Sequence, residues 1–221
     1  MKKNEKLHEK QVFENMRDLV ERSAEMYPDR TAYSYKISPR DKEPVKKSFT
    51  ELRDDIRALT TELLSRGYAG GHCAVIVKFS YSWVRAYISI LSAGTVIVPL
   101  DRDWTGADLA DTAARANAEY LFIDRDLSDK AEAIKALAGI KEVIFMSGDE
   151  GETLDSLVAL GKEKFASDSS AYYNAPIDVN KLALLVFTSG TTGKGKGVML
   201  TQNNVLSDMS DVIPYIDFGR T

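Results

Sequence analysis

The sequence is poor in the residues that build disulfides and metal sites. Its 221 residues include one cysteine, Cys73, and two histidines, His8 and His72. A single cysteine cannot form a disulfide within the chain, which is typical of proteins from a reducing compartment. Cys73 lies in an apolar stretch and is predicted to be a small buried strand residue. Because the two histidines are isolated, the sequence identifies no metal site and no nucleophile–base pair.

Long apolar segments and an excess of positive charge are also missing. The longest apolar run, Leu182 to Phe187, is far shorter than the roughly 20 residues that cross a bilayer as a helix. Residues 1–10 are charged and lack the apolar core of a secretory signal. The formal net charge is −4, with lysine and arginine spread along the chain, which argues against nucleic acid as a main partner. We therefore predict a cytoplasmic protein, and peripheral contact with a membrane stays open.

What the sequence does contain is a regular alternation of strand and helix patterns. From His72 onward, strands are predicted at 72–79, 95–100, 120–123, 142–145 and 182–187, and helices at 82–93, 105–116 and 128–137. Strands that alternate with helices of this length imply βαβ units. The predicted fold class is therefore α/β, with a mainly parallel sheet flanked by helices.

The remaining segments are predicted to be more varied. A helix at 11–27 precedes a strand pair at 31–37 and 45–49, and a second helix begins after Thr50 as its N-cap and ends near Gly67. The polar segment 148–176 is predicted to form one helix at 153–160 and then a surface linker.

The most informative segment follows the last buried strand. A loop rich in hydroxyl groups, glycine and lysine runs from Thr188 to Gly197, and a second strand, Val198 to Leu200, comes directly after it. Glycines allow close backbone approach, successive N–H groups form an anion-binding concavity, and hydroxyls add donors. Ligands of open α/β sheets bind beyond the carboxyl ends of the strands. The loop is therefore predicted to wrap a polyphosphate.

Two interpretations of the loop follow from its residue pattern alone. A P-loop nucleoside triphosphatase would explain Gly190 and Gly195-Lys196, but Gly197 stands where that motif requires the Mg²⁺-binding Ser or Thr. A strand, rather than a helix, also follows the loop. The other interpretation is a glycine-rich hairpin without a ligand, but a plain hairpin has no need for four hydroxyl residues and two lysines.

A third interpretation rests on a resemblance. The run Phe187-Thr-Ser-Gly-Thr-Thr-Gly-Lys-Gly-Lys-Gly-Val198 closely resembles the phosphate-binding signature of the adenylate-forming (AMP-binding) superfamily. That group includes acyl-CoA synthetases, firefly luciferase and the adenylation domains of peptide synthetases. Two positions depart from the pattern: Gly195 replaces the usual proline, and Gln202 stands where histidine is common. Ser80-Tyr-Ser-Trp83 and Val98-Pro-Leu-Asp101 look most like the bacterial long-chain fatty acyl-CoA synthetase branch.

The resemblance implies a reaction, its cofactors and a set of binding residues. A carboxylic acid such as a fatty acid would react with Mg²⁺-bound ATP to give an acyl-adenylate, from which coenzyme A would form a thioester. The ATP phosphates would be bound by Thr188, Ser189, Gly190, Thr191, Thr192, Gly193, Lys194 and Lys196. Lys196 aligns with the family's lysine after the proline, whereas Lys194 fits a solvated charge equally well.

The same resemblance implies that much of the active site lies elsewhere. In the family, the acyl pocket, the adenine contacts, the metal-binding glutamate and the C-terminal domain with its catalytic lysine all follow the phosphate loop, so no catalytic residue can be matched. We interpret residues 1–221 as a partial N-terminal AMP-binding domain, with its loop at 188–197 and no C-terminal domain. The parent would be an AMP-forming fatty acid–CoA ligase, and the piece alone is expected to be inactive. The alternatives are a non-catalytic nucleotide-binding or interaction module and an adenylate-forming enzyme for another acid.

Overall fold

Strands and helices alternate through most of the chain after an N-terminal helix and hairpin. The computed structural model describes residues 9–188 and 195–215. The strands there are β1 (Thr31–Tyr35), β2 (Val45–Ser48), β3 (His72–Ile76), β4 (Val96–Pro99), β5 (Tyr120–Ile123), β6 (Glu142–Phe145), β7 (Leu182–Thr188) and β8 (Lys196–Thr201). The helices there are α1 (Met16–Met26), α2 (Phe49–Ser65), α3 (Tyr81–Ser92), α4 (Gly106–Arg115), α5 (Ser128–Ala138), α6 (Leu154–Ser167), α7 (Ser170–Asn174) and α8 (Gln202–Val212).

Six strands form one sheet in the order β6-β5-β3-β4-β7-β8. From β6 to β7 each strand is parallel to its neighbours, and β8 runs antiparallel to β7 at the edge. Strands β1 and β2 pair separately as an antiparallel hairpin. The predicted mainly parallel α/β architecture is confirmed.

Helices cover the two faces of the sheet. One buried cluster contains residues of α2, α3 and α6, including Leu59, Ile90 and Leu157. The other contains residues of α4 and α5, including Leu109 and Ile134. This division follows from right-handed crossovers, because the chain steps from β3 to β4 in one direction and from β4 to β5 in the other. The connections that leave β3 and β4 therefore lie on opposite faces, which opens a crevice at the carboxyl edge of the sheet.

Two helices begin elsewhere than the sequence pattern predicts, because of their caps. Helix α1 starts at Met16 rather than Gln11, since the Asn15 side chain accepts hydrogen bonds from two backbone amides of the first turn. The N-cap of α2 is Ser48, not Thr50, because Ser48 forms a reciprocal capping box with the glutamate three residues later. Helix α1 is therefore shorter at its start than its apolar pattern predicts, whereas α2 begins two residues earlier than predicted.

The linker predicted after residue 160 is wrong. Helix α6 continues to Ser167, and α7 follows after only two residues. Gly161, in the middle of α6, packs directly on α2: a Cβ atom at this position would lie 1.9 Å from the carbonyl oxygen of Ala58. The last turns of α6 expose charged side chains, so their sequence pattern is that of a polar linker although tertiary packing holds the helix.

The predicted strand bounds agree with the structure for some strands and not for others. The limits of β5 and β6 are those predicted, whereas β3 stops at Ile76, short of the predicted Phe79. Cys73 on β3 is fully buried, as predicted. Burial raises the pKa of its thiol, so the side chain is a core residue rather than a nucleophile.

Candidate functional site

Strands β7 and β8 form the hairpin that carries the predicted phosphate loop. Their pairing runs from Leu182 opposite Thr201 to Thr188 opposite Lys196. The hydroxyl of Thr188 donates a hydrogen bond to the carbonyl oxygen of Lys196 at 3.4 Å. Thr188 is therefore the last residue of β7 and Lys196 the first of β8, so the two strands extend into both ends of the segment 188–197 that the sequence assigns to the loop.

Only part of the predicted binding set lies within the described residues. Thr188 and Lys196 face each other across the hairpin, and both are exposed. The other members fall outside the described residues: Ser189, Gly190, Thr191, Thr192, Gly193 and Lys194. The described residues thus define the two strand ends from which the loop departs.

The hairpin lies at the edge of the sheet where ligands of α/β proteins bind. Strand β7 is parallel to β4, with Leu184 opposite Ile97, so its carboxyl end is at the same edge as those of β3 to β6. Side chains and backbone groups at this edge face the crevice between the two helical layers. Thr188 and Lys196 are both exposed at this edge, so a polyphosphate has access to the two strand ends.

Two glycines of the hairpin lie against close neighbours. A Cβ atom at Gly195 would lie 2.6 Å from the carbonyl oxygen of Thr188, and one at Gly197 would lie 3.0 Å from Cδ1 of Leu185. Proline carries a Cβ atom as alanine does, so the proline usual in the signature does not fit at 195 without a shift of the backbone. The glycine at this position is part of how the hairpin closes.

Arg115, from the last turn of α4, contacts both sides of the hairpin. Its Nη2 donates a hydrogen bond to the carbonyl oxygen of Gly195 at 3.0 Å, and its guanidinium carbon lies 5.4 Å from the ring centroid of Phe187. Asp111, one turn earlier, is 3.9 Å from Nη1. Sequence reasoning missed this residue because 80 positions separate it from Gly195, and a basic residue in the last helical turn is unremarkable by itself.

Other charged groups at the same edge are paired with one another. Nη2 of Arg102 lies 2.8 Å from Oδ2 of Asp126, and Nζ of Lys78 lies 3.3 Å from the same oxygen. The Arg102 hydrogen bond lowers the pKa of the Asp126 carboxyl. A cleft of about 590 Å³ opens beside this cluster, lined in part by Lys78, Asp124 and Asp126. Because carboxylates balance these cations, the cleft lacks the positive excess that a polyphosphate needs.

Metal and membrane features were sought in the same part of the chain. Across residues 9–188 and 195–215, no three His, Cys, Asp or Glu side chains are arranged to hold a metal ion. The ring of His72 is instead 2.6 Å from the carbonyl oxygen of Ala116. None of the helices in these ranges combines the length and apolar character needed to cross a bilayer.

Comparison with known proteins gives a family match over most of the chain. The model of the AMP-binding enzyme family matches residues 20–220. The long-chain-fatty-acid–CoA ligase FadD15 of Mycobacterium bovis is 29% identical over 168 residues, which cover 75% of this chain and 28% of the relative. The 3-[(3aS,4S,7aS)-7a-methyl-1,5-dioxo-octahydro-1H-inden-4-yl]propanoyl:CoA ligase of Mycobacterium tuberculosis is 31% identical over 166 residues, covering 72% of this chain and 32% of that protein. The chain thus spans about a third of the length of these relatives.

Solved structures give the same fold. A long-chain-fatty-acid–CoA ligase, FadD1, from Archaeoglobus fulgidus superposes with a TM-score of 0.78 at 19% identity, covering 95% of this chain and 40% of that one. At this level of identity the likeness bears on the fold alone.

Proposed function

The chain belongs to the AMP-binding enzyme family, and from this premise we propose that it is the N-terminal part of an AMP-forming fatty acid–CoA ligase. The observation that carries the proposal is the β7–β8 hairpin, in which Thr188 and Lys196 lie opposite each other at the carboxyl edge of the sheet. Both relatives described above are named as CoA ligases, one for long-chain fatty acids. The finer assignment to fatty acids is supported by that name and by the sequence resemblance.

In the proposed first step, a carboxylate oxygen attacks the α-phosphorus of Mg²⁺-bound ATP. A phosphorus–oxygen bond to the acyl group forms, the bond to the β-phosphate bridge breaks, and pyrophosphate leaves with its negative charge. The protein has to hold the phosphates in line and offset the charge of the leaving group. The N–H groups and hydroxyls of 188–193 would bind the β- and γ-phosphates, while Lys196 and Lys194 would supply positive charge.

Lys196 is better suited to this role than a lysine within the loop. It is the first residue of β8, paired with Thr188 through the strand ladder, so its backbone position is fixed before a nucleotide binds. A side chain on a backbone that is already in position has less conformational entropy to lose on binding. Mg²⁺ would enter the site as part of the Mg²⁺-ATP complex.

In the proposed second step, the sulfur of coenzyme A attacks the acyl carbonyl carbon of the adenylate. A carbon–sulfur bond forms, the carbon–oxygen bond to AMP breaks, and the thiol proton passes to solvent. By the family resemblance, the groups that serve this step and the acid pocket follow residue 221 in the parent. A cytoplasmic location and peripheral membrane contact stay predictions from the sequence.

The proposal is tested by fatty-acid-dependent exchange of pyrophosphate into ATP. We expect no exchange from the 221-residue chain, because it carries only the phosphate-binding part of the site, and exchange from a protein extended by the following coding sequence. Robust exchange by the 221-residue chain would contradict the proposal that the remaining active-site groups lie outside residues 1–221. An in-frame continuation with the family's later motifs supports the ligase, whereas a native stop codon favours a non-catalytic module.

A further inference from the structure

We propose that Arg115 is the positioning residue of the phosphate loop, holding its exit at Gly195 in the geometry that binds a polyphosphate. The inference rests on the proposed function of the loop and adds to it a residue from another element of the fold. Arg115 lies outside the hairpin, on α4, and is not one of the signature residues 187–198.

The contacts of Arg115 join the two strands where the loop begins and ends. One guanidinium nitrogen donates to the carbonyl of Gly195, just before β8, while the guanidinium carbon lies 5.4 Å from the ring centroid of Phe187, the residue before Thr188. A hydrogen bond and a cation–π contact from one rigid group fix the separation of the two sides. The helix that carries Arg115 is itself held in place, because Leu109 and Ala113 of α4 are fully buried.

Gly195 is a position where such a restraint matters. The signature usually has proline here, which fixes the backbone, whereas glycine has the greatest conformational freedom of any residue. The close approach to Thr188 excludes a Cβ atom at this point, so side-chain packing by residue 195 itself cannot supply rigidity. The hydrogen bond from Arg115 to the Gly195 carbonyl would replace part of the restraint that proline gives.

A simple charge effect makes a different prediction. If Arg115 acted only by attracting ATP through its positive charge, lysine would replace it fully, and the effect of its removal would shrink at high salt. If it positions the loop, lysine can keep a hydrogen bond to Gly195 but cannot also keep the guanidinium contact with Phe187, because it has a single donor group at its tip. Lysine would then restore only part of the function, with little dependence on salt. Asp111 already balances part of the charge of Arg115.

The experiment measures hydrogen exchange and nucleotide binding in the same variants. Arg115→Met and Arg115→Lys are compared with the wild-type chain, and Arg53→Met is the matched control, since Arg53 also pairs with a neighbouring aspartate on a helix surface. Exchange is followed in peptides covering 186–199, without nucleotide. Binding of Mg²⁺-ATP and of inorganic pyrophosphate is followed by calorimetry at low and high salt.

We expect faster exchange in 186–199 and about three- to tenfold weaker Mg²⁺-ATP binding for Arg115→Met, the effect of losing one or two polar contacts. Arg115→Lys should be intermediate, and Arg53→Met unchanged in both. Unchanged exchange and affinity in Arg115→Met, or full rescue by lysine, would overturn the proposal. Absence of nucleotide binding by the wild-type chain would instead overturn the proposed function and the nucleotide role of Arg115. The exchange data would still decide whether Arg115 restrains the hairpin.

Discussion

Replacing Gly195 with alanine tests whether the hairpin closes as described. The new Cβ atom would lie 2.6 Å from the carbonyl oxygen of Thr188, about 0.9 Å inside ordinary contact distance. The oxygen belongs to Thr188, the last residue of β7 that pairs with β8, so moving it disturbs the end of the strand ladder. Forcing an atom into such a contact costs about 1–3 kcal/mol, whereas the smaller entropy of the unfolded chain returns about 0.4–1 kcal/mol. The net expectation is a loss of about 1 kcal/mol.

The assay is thermal unfolding followed by circular dichroism, together with Mg²⁺-ATP affinity. A loss of about 1 kcal/mol lowers the midpoint by about 2–4 °C in a chain of this size, and affinity should fall because the exit of the loop moves. Gly106→Ala is the matched control. Its Cβ atom would meet nothing closer than 3.9 Å, so helix propensity should leave stability unchanged or raised by up to about 1 kcal/mol. A Gly195→Ala protein as stable as the Gly106→Ala control would refute the close approach.

Three further predictions concern stability and accessibility. Gly161→Ala should destabilise the chain by about 3 kcal/mol in urea unfolding, because its Cβ atom would overlap the Ala58 carbonyl oxygen at 1.9 Å; stability equal to wild type would contradict the α2–α6 packing. The backbone amide of Ser48 holds the pKa of Glu51 below its ordinary value, so the capping contribution is present at neutral pH and is lost as the pH falls below about 4.5. The free energy of unfolding, measured with urea, should therefore fall less between pH 7 and pH 3 in Glu51→Gln than in wild type. An equal fall in the two proteins would contradict this. Burial should protect Cys73 from an aromatic disulfide reagent until the chain unfolds, and rapid labelling of the native protein would show the opposite.

The parts of the fold that follow local rules were predictable. Strands β5 and β6 are short apolar runs with turn residues at both ends, and Thr105 is both the predicted and the observed cap of α4. The α/β class followed from their alternation with helices. Strand order did not, because the direction of each crossover depends on packing between distant segments. Helix α6 was missed beyond Leu160 for the same reason: its buried glycine contact with α2 is invisible in a local pattern.

The chemistry of the candidate site is a prediction from the sequence, whereas the contacts that support the hairpin come from the fold. The hydroxyl, glycine and lysine pattern predicts a phosphate loop, since those groups suit a polyphosphate wherever they occur together. The pairing of Thr188 with Lys196 depends on the register of β7 and β8, which no single strand specifies. The role of Arg115 could not be predicted from the sequence, since only the fold brings the last turn of α4 to Gly195.

The most direct test of the account is titration of the 221-residue chain with Mg²⁺-ATP and with inorganic pyrophosphate, using Lys196→Met and a control lysine. Lys181→Met is the control, because Lys181 is an exposed lysine directly before β7, at the opposite end of the same hairpin. We expect saturable binding by wild type and by Lys181→Met, and binding at least about tenfold weaker in Lys196→Met, the loss expected for one charged contact to phosphate. Equal affinities in all three proteins, or no binding by wild type, would contradict the claim that this hairpin holds the phosphates of ATP.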